Sequence, residues 1–161
     1  MERINGTPKT PKVEKVDGKY LVRWDYQGNS KKVTFYEIEF PYKPSLETVK
    51  NVILKMENSK IDEKILSGFS WNGMNVWLSS ENQFNYKAAY DIAVQTEGAN
   101  LPITFKFGST ENPEYHSFET LQDLTDFYMK AMNYINQTLL NGWTSKDSID
   151  WTEYEEALKD E

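Results

Sequence analysis

Apolar residues alternate with polar ones over several short stretches of the chain. Over longer stretches they recur every three or four positions, which predicts strands and helices in alternation. Order begins at Val13. The segment 13–16, the Asp17-Gly18 turn and the segment 19–26 have the form of a β-hairpin with a two-residue loop. Tyr20, Val22 and Trp24 fall on one face of its second strand. After a turn at Gln27-Gly28-Asn29-Ser30, the segment 32–40 alternates again: Val33, Phe35 and the stem of Glu37 face one way, Thr34, Tyr36 and Ile38 the other. Three such strands make a meander, about the smallest sheet that holds together when something packs on one face. The residues before it, 7–12, carry Pro8 and Pro11 and little to bury, which predicts an extended arm, mobile or laid along another surface.

Pro41 and Pro44 end the meander, and Ser45 can cap a helix bearing Leu46, Val49, Val52, Ile53 and Met56 on one stripe, ending near Asn58. Phe69 and Trp71 alternate, Asn72-Gly73 supplies a turn, and Met74, Val76 and Leu78 alternate after it, a second hairpin. Ser80 followed by Gln83 suits a capping box for a helix through Phe84, Tyr86, Ala89, Tyr90, Ala93 and Val94, ended by Gly98. A strand over 101–107, a loop over 108–113 and a short return strand over 115–118 follow. The strongest helix spans about 120–140, with Leu121, Leu124, Tyr128, Ala131, Ile135 and Leu139 stepping by three and four. Asn141-Gly142 should break or kink it. A last acidic helix, 151–158, places Trp151, Tyr154 and Leu158 on one side.

The connections are mostly too short for parallel crossovers. The expected fold is therefore α+β: an antiparallel β-meander and β-hairpins packed with three to four helices, one of them long and C-terminal. The expected organisation is an arm over 1–12, a meander adaptor over 13–43, an α+β module over 44–149 and an acidic tail over 150–161.

Composition sharpens the picture. Only 39% of the residues are apolar against 27% charged, but five Trp, ten Tyr and eight Phe give a ring content of 14%. Disordered chains lack such rings, so a folded, ring-rich core or contact surface is expected. The net charge is −7, and most of it belongs to the segment from Asp150 onward, where six acids stand against Lys159. That balance disfavours general phosphate-backbone binding, so no nucleic-acid partner is expected. No apolar run approaches a membrane span. The first residues lack an apolar signal core, and a soluble protein made in the cytoplasm is expected. Without cysteine, thiolate nucleophiles, zinc fingers and iron–sulfur sites are excluded. No cofactor is implied.

Candidate chemistry is sparse. His116 is the only histidine, and no serine stands on the glycine-flanked turn a triad would need, so a structural histidine is the expectation. Glu81, Asp91, Glu111 and Glu114 lie near ring clusters and leave open a two-carboxylate glycoside hydrolase. Trp71, Trp77, Tyr86 and Tyr90 can form a stacking platform for a glycan or receptor, or can be core.

A resemblance enters from Gly68 onward. The run Gly68-Phe69-Ser70-Trp71-Asn72-Gly73-Met74-Asn75-Val76-Trp77-Leu78-Ser79 is followed by Asn82-Gln83-Phe84-Asn85. Phe107-Gly108, Tyr115-His116-Ser117-Phe118, a long helix and 142–149 (GWTSKDSI) complete the pattern. Over residues 68–149, about half the chain, this resembles a small module of tail-fibre and other tail-associated structural proteins of tailed bacteriophages. The resemblance implies a non-enzymatic virion protein of the tail or connector region, made in the host cytoplasm. Its implied partners are other tail, neck or hub proteins and further copies of itself in a symmetric homo-oligomer. No catalytic residue comes with it. The arm 1–12 and the tail 150–161 are the segments expected to cross between subunits. Trp151 and Tyr154 are candidate anchors of the tail, which is otherwise a passive end.

Overall fold

A computed structural model describes residues 1–159. The fold is α+β with antiparallel sheets, and the chain forms two compact units: Met1–Met56 together with the segment from Ser148 onward, and Glu57–Asp147. The sequence-based boundaries at 43/44 and 149/150 are thus corrected. One division falls inside a helix, and the C-terminal segment belongs to the first unit rather than standing as a separate tail.

In the first unit, strands β1 (Ile4–Gly6), β2 (Val13–Val16), β3 (Lys19–Gly28) and β4 (Val33–Phe40) form one antiparallel sheet in the order β1-β4-β3-β2. The Asp17-Gly18 turn has both residues at positive φ, as a tight hairpin of this twist requires. The meander is therefore correct but incomplete. Part of the expected arm is a fourth strand, β1, with Ile4 opposite Phe35 and Gly6 opposite Val33. The Arg3 guanidinium fixes it by donating to Asp25 Oδ2 at 2.8 Å and to Thr34 Oγ1 at 2.9 Å.

One face of this sheet carries Val22 and Trp24, as the alternation predicts. They form a core with Val49 and Ile53 of helix α1 (Leu46–Ser67) and with Tyr154 of α4 (Thr152–Leu158). Tyr154 is 1% exposed, and its hydroxyl donates to the Arg23 carbonyl at 2.7 Å. Burial pushes that phenol well above its ordinary pKa. The tail is docked, not passive. The opposite face buries a cation: Arg23 is 5% exposed, bonded to Glu37 at 2.6 Å, Glu14 at 2.8 Å and the Pro11 carbonyl at 3.0 Å. Two carboxylates and a carbonyl replace the water that burial removes.

In the second unit, two hairpins pair β5 (Phe69–Trp71) with β6 (Met74–Val76), and β7 (Ile103–Gly108) with β8 (Pro113–Phe118). Helices α2 (Ser80–Gln95) and α3 (Leu121–Asp147) belong to the same unit. The core is built largely of rings around Phe127, itself 0% exposed. Ring centroids of Tyr86, Phe118, Phe107 and Trp71 lie 5.0, 5.2, 5.3 and 5.6 Å from it. Two of these pairs, those of Tyr86 and Trp71, meet edge-on, the arrangement that ring quadrupoles favour.

Three helix boundaries differ from expectation. Helix α1 continues past Asn58 to Ser67, because Ile65 continues the apolar spacing and joins the ring core. Helix α3 passes through Asn141-Gly142 without ending there: a Cβ at position 142 would overlap the Ile61 side chain, so the glycine serves close approach rather than a break. At the start of α2 the cap is Ser79, whose hydroxyl accepts from the Asn82 amide at 3.2 Å. The expected Ser80–Gln83 box does not form; the Gln83 side chain instead donates to the Leu78 carbonyl at 2.7 Å.

Candidate functional site

The candidate rings separate into buried and exposed ones. Trp71 and Tyr86 are core residues, 5% and 3% exposed. Trp71 Nε1 donates to Asp126 at 3.1 Å, and His116 lies against its ring edge-on at 4.8 Å, in keeping with a structural histidine. Hydrogen bonds from Lys130 and Trp71 hold the Asp126 carboxyl below its ordinary pKa. Burial pushes the Tyr86 phenol up to about 12. Tyr90 is half-buried and stacked on Tyr128, centroids 4.5 Å apart and planes 17° from parallel. Trp151 is half-buried beside Tyr154 in the first unit. The four-ring platform of Trp71, Trp77, Tyr86 and Tyr90 is therefore corrected: a core has absorbed two of its members. Only Trp77 stands out, half exposed.

Strand parity explains the difference. Across β5–β6, Phe69 faces Val76 and Trp71 faces Met74 on the core side, while Ser70 faces Asn75 on the outer side. Trp77 shares the parity of Asn75, not of Val76. Its backbone is held on both sides: the Leu78 amide donates to the Leu66 carbonyl at 2.9 Å, and Asn82 Nδ2 donates to the Trp77 carbonyl at 2.8 Å. The indole thus stands on a fixed frame beside an open groove of about 460 Å³.

The acids of the hydrolase alternative do not converge there. Asp91 is paired with Lys87 along α2, Glu81 is exposed in the first turn of α2, and Glu111 and Glu114 are exposed on the second hairpin. None of them lines the Trp77 groove. Among the described residues, no group of three or more His, Asp or Glu is placed to hold a metal ion. No helix among them is long and apolar enough to cross a membrane.

A second exposed feature lies on α3. Met129, Leu140 and Trp143 are 48, 53 and 52% exposed, and at 100° per residue they occupy one sector of the helix. The half-buried Met132 borders that sector. From Ala131 to Ser145 the sequence contains no charged residue, although charged residues make up 27% of the chain. Within that stretch the polar positions on this side, Asn133 and Asn136, are amides, and the exposed Asp147 closes the sector at the end of the helix. On α2, by contrast, exposed Phe84 and Ile92 flank the Lys87–Asp91 ion pair. The α3 face is not legible in the sequence because the helix is expected to end near Leu140, which leaves Trp143 off it. The missing charge was the available signal.

No protein-family model, no curated protein and no solved structure matches the chain, so its own side chains carry the functional argument.

Proposed function

We propose that the protein is a non-enzymatic structural component of a bacteriophage tail or connector region, working through protein–protein contacts in a symmetric assembly. The observation that supports this is the α3 face with Met129, Leu140 and Trp143 exposed and no charged residue from Ala131 to Ser145. Interface centres are depleted in charge and enriched in aromatic residues and methionine, and large rings there carry much of the binding energy. The occupant argued for is a second copy of the chain. The amide-rich, uncharged stretch from Ala131 to Ser145 can meet its like without the charge repulsion that the acidic surface elsewhere would impose.

The segments expected to cross between subunits are occupied within their own chain, β1 against β4 and α4 against β3. The contact surface is accordingly moved from the termini to α3. Mass spectrometry of purified phage particles carrying this gene tests the role. The chain should be present in particles at a fixed ratio to the other tail proteins; a chain abundant in the lysate and absent from particles contradicts it.

A further inference from the structure

The Trp77 groove has a composition that a structural surface does not need. Asn75 and Trp77 reach it from the outer parity of the first hairpin and Lys106 from that of the second, with Thr110 on the connecting loop. The loop is held in shape: the Ser109 amide donates to the Asn112 carbonyl at 3.1 Å, and the Asn112 amide donates to Ser109 Oγ at 3.0 Å. Gly108 enters it at φ +75, where a Cβ would overlap the Asn112 carbonyl. Frame and loop are therefore both set before any ligand arrives, which lowers the ordering cost of binding.

Among the described residues, the side chains of Asn75, Lys106 and Thr110 have no hydrogen-bond or ion-pair partner and are exposed. The groove volume falls within the range of small-molecule sites. It offers one exposed indole, the neutral hydrogen-bonding side chains of Ser67, Asn75, Ser109 and Thr110, and one cation, and no carboxylate lines it. We propose that this groove binds a saccharide bearing a carboxylate, a uronic-acid type of sugar. The indole covers the apolar C–H face of the sugar ring. Asn75 and Thr110 meet its hydroxyls, and Lys106 pairs with the carboxylate. A phosphate-bearing ligand would call for more than one cation or a cradle of backbone amides. An aromatic ligand would leave the amide and hydroxyl of the groove without partners. The inference stands on this groove alone and survives or fails independently of the α3 assembly face.

The test is a titration of the intact ¹⁵N-labelled chain with digalacturonic acid and with its neutral counterpart, galactobiose, followed by amide and indole chemical shifts. Shifts should be confined to the Trp77 indole, Asn75 and residues 106–110, with the acid bound more tightly. Trp77→Ala should abolish them. Lys106→Gln should weaken binding of the acidic sugar about tenfold, the equivalent of about 1.4 kcal/mol, and leave the neutral one unchanged. Both side chains are exposed, so the dispersed spectrum of the variants serves as the folding control. Absence of saturable shifts with the acidic sugar overturns the proposal. So does equal binding of the two sugars by the unaltered chain, or unchanged binding by Trp77→Ala.

Discussion

Tyr154 offers the sharpest test of how the C-terminal helix is held. Its ring is fully buried among Val22, Trp24, Val49 and Ile53, and its hydroxyl is bonded to the Arg23 carbonyl. Two substitutions separate these contributions. Tyr154→Phe keeps the ring and removes the hydroxyl, at a cost of about 1 kcal/mol for a net hydrogen bond. Tyr154→Ala removes the ring as well and leaves a cavity, at a cost of about 3–5 kcal/mol. For a chain of this size each kcal/mol moves the melting temperature by roughly 2–4 °C, so the Phe variant should melt about 3 °C lower and the Ala variant about 10 °C lower. Thermal unfolding followed by tryptophan fluorescence gives the shift. Hydrogen exchange at the Val22 and Trp24 amides should show where it originates, with protection lost there first. A Tyr154→Ala protein that melts like the parent and keeps that protection would refute the docking of α4.

Further predictions concern the second unit and pH. Phe127→Ala, at the centre of the ring cluster, should cost about 3–5 kcal/mol in urea unfolding; a loss below about 1 kcal/mol would contradict the packing described. Gly68→Ala should destabilise by roughly 1–3 kcal/mol. A Cβ there would overlap the Lys64 carbonyl and the Tyr134 hydroxyl bonded to it, and calorimetry would reveal any unexpected gain. Burial pushes the Tyr26 and Tyr86 phenols up to about 12 from 10.0. A raised folded-state pKa gives stability fully present below about pH 10 and lost as pH rises towards 12. Urea midpoints should therefore fall steeply between those values, and Tyr86→Phe should flatten the fall.

Much of the fold was legible because local signals agreed with the tertiary arrangement. Asp17-Gly18 and Asn72-Gly73 lie between alternating apolar residues and do form tight turns with positive φ. The stripe of Leu121, Leu124, Tyr128, Ala131 and Ile135 does face a core. Where the reading failed, the deciding interaction was distant. Three residues beside two prolines carry no strand signal of their own, and β1 exists because β4 and the Arg3–Asp25 pair hold it. Gly142 has the composition of a helix end, but it accommodates Ile61 from another helix. For the candidate site, residue type alone could not divide Trp71 from Trp77. Their parity relative to Val76 and Asn75 divides them, and it becomes readable only once the Asn72-Gly73 register is fixed.

The proposed contact role of α3 is most directly tested by sedimentation equilibrium of the full chain over a wide concentration range, alongside the double variant L140E/W143E. Both side chains are half exposed, so the substitutions place charge on the surface rather than in the core. The parent chain should weigh a whole-number multiple of its 18.8 kDa at high concentration, and the double variant should remain at the monomer mass throughout. A parent chain that stays monomeric at every concentration, or a double variant that assembles as the parent does, would contradict the account.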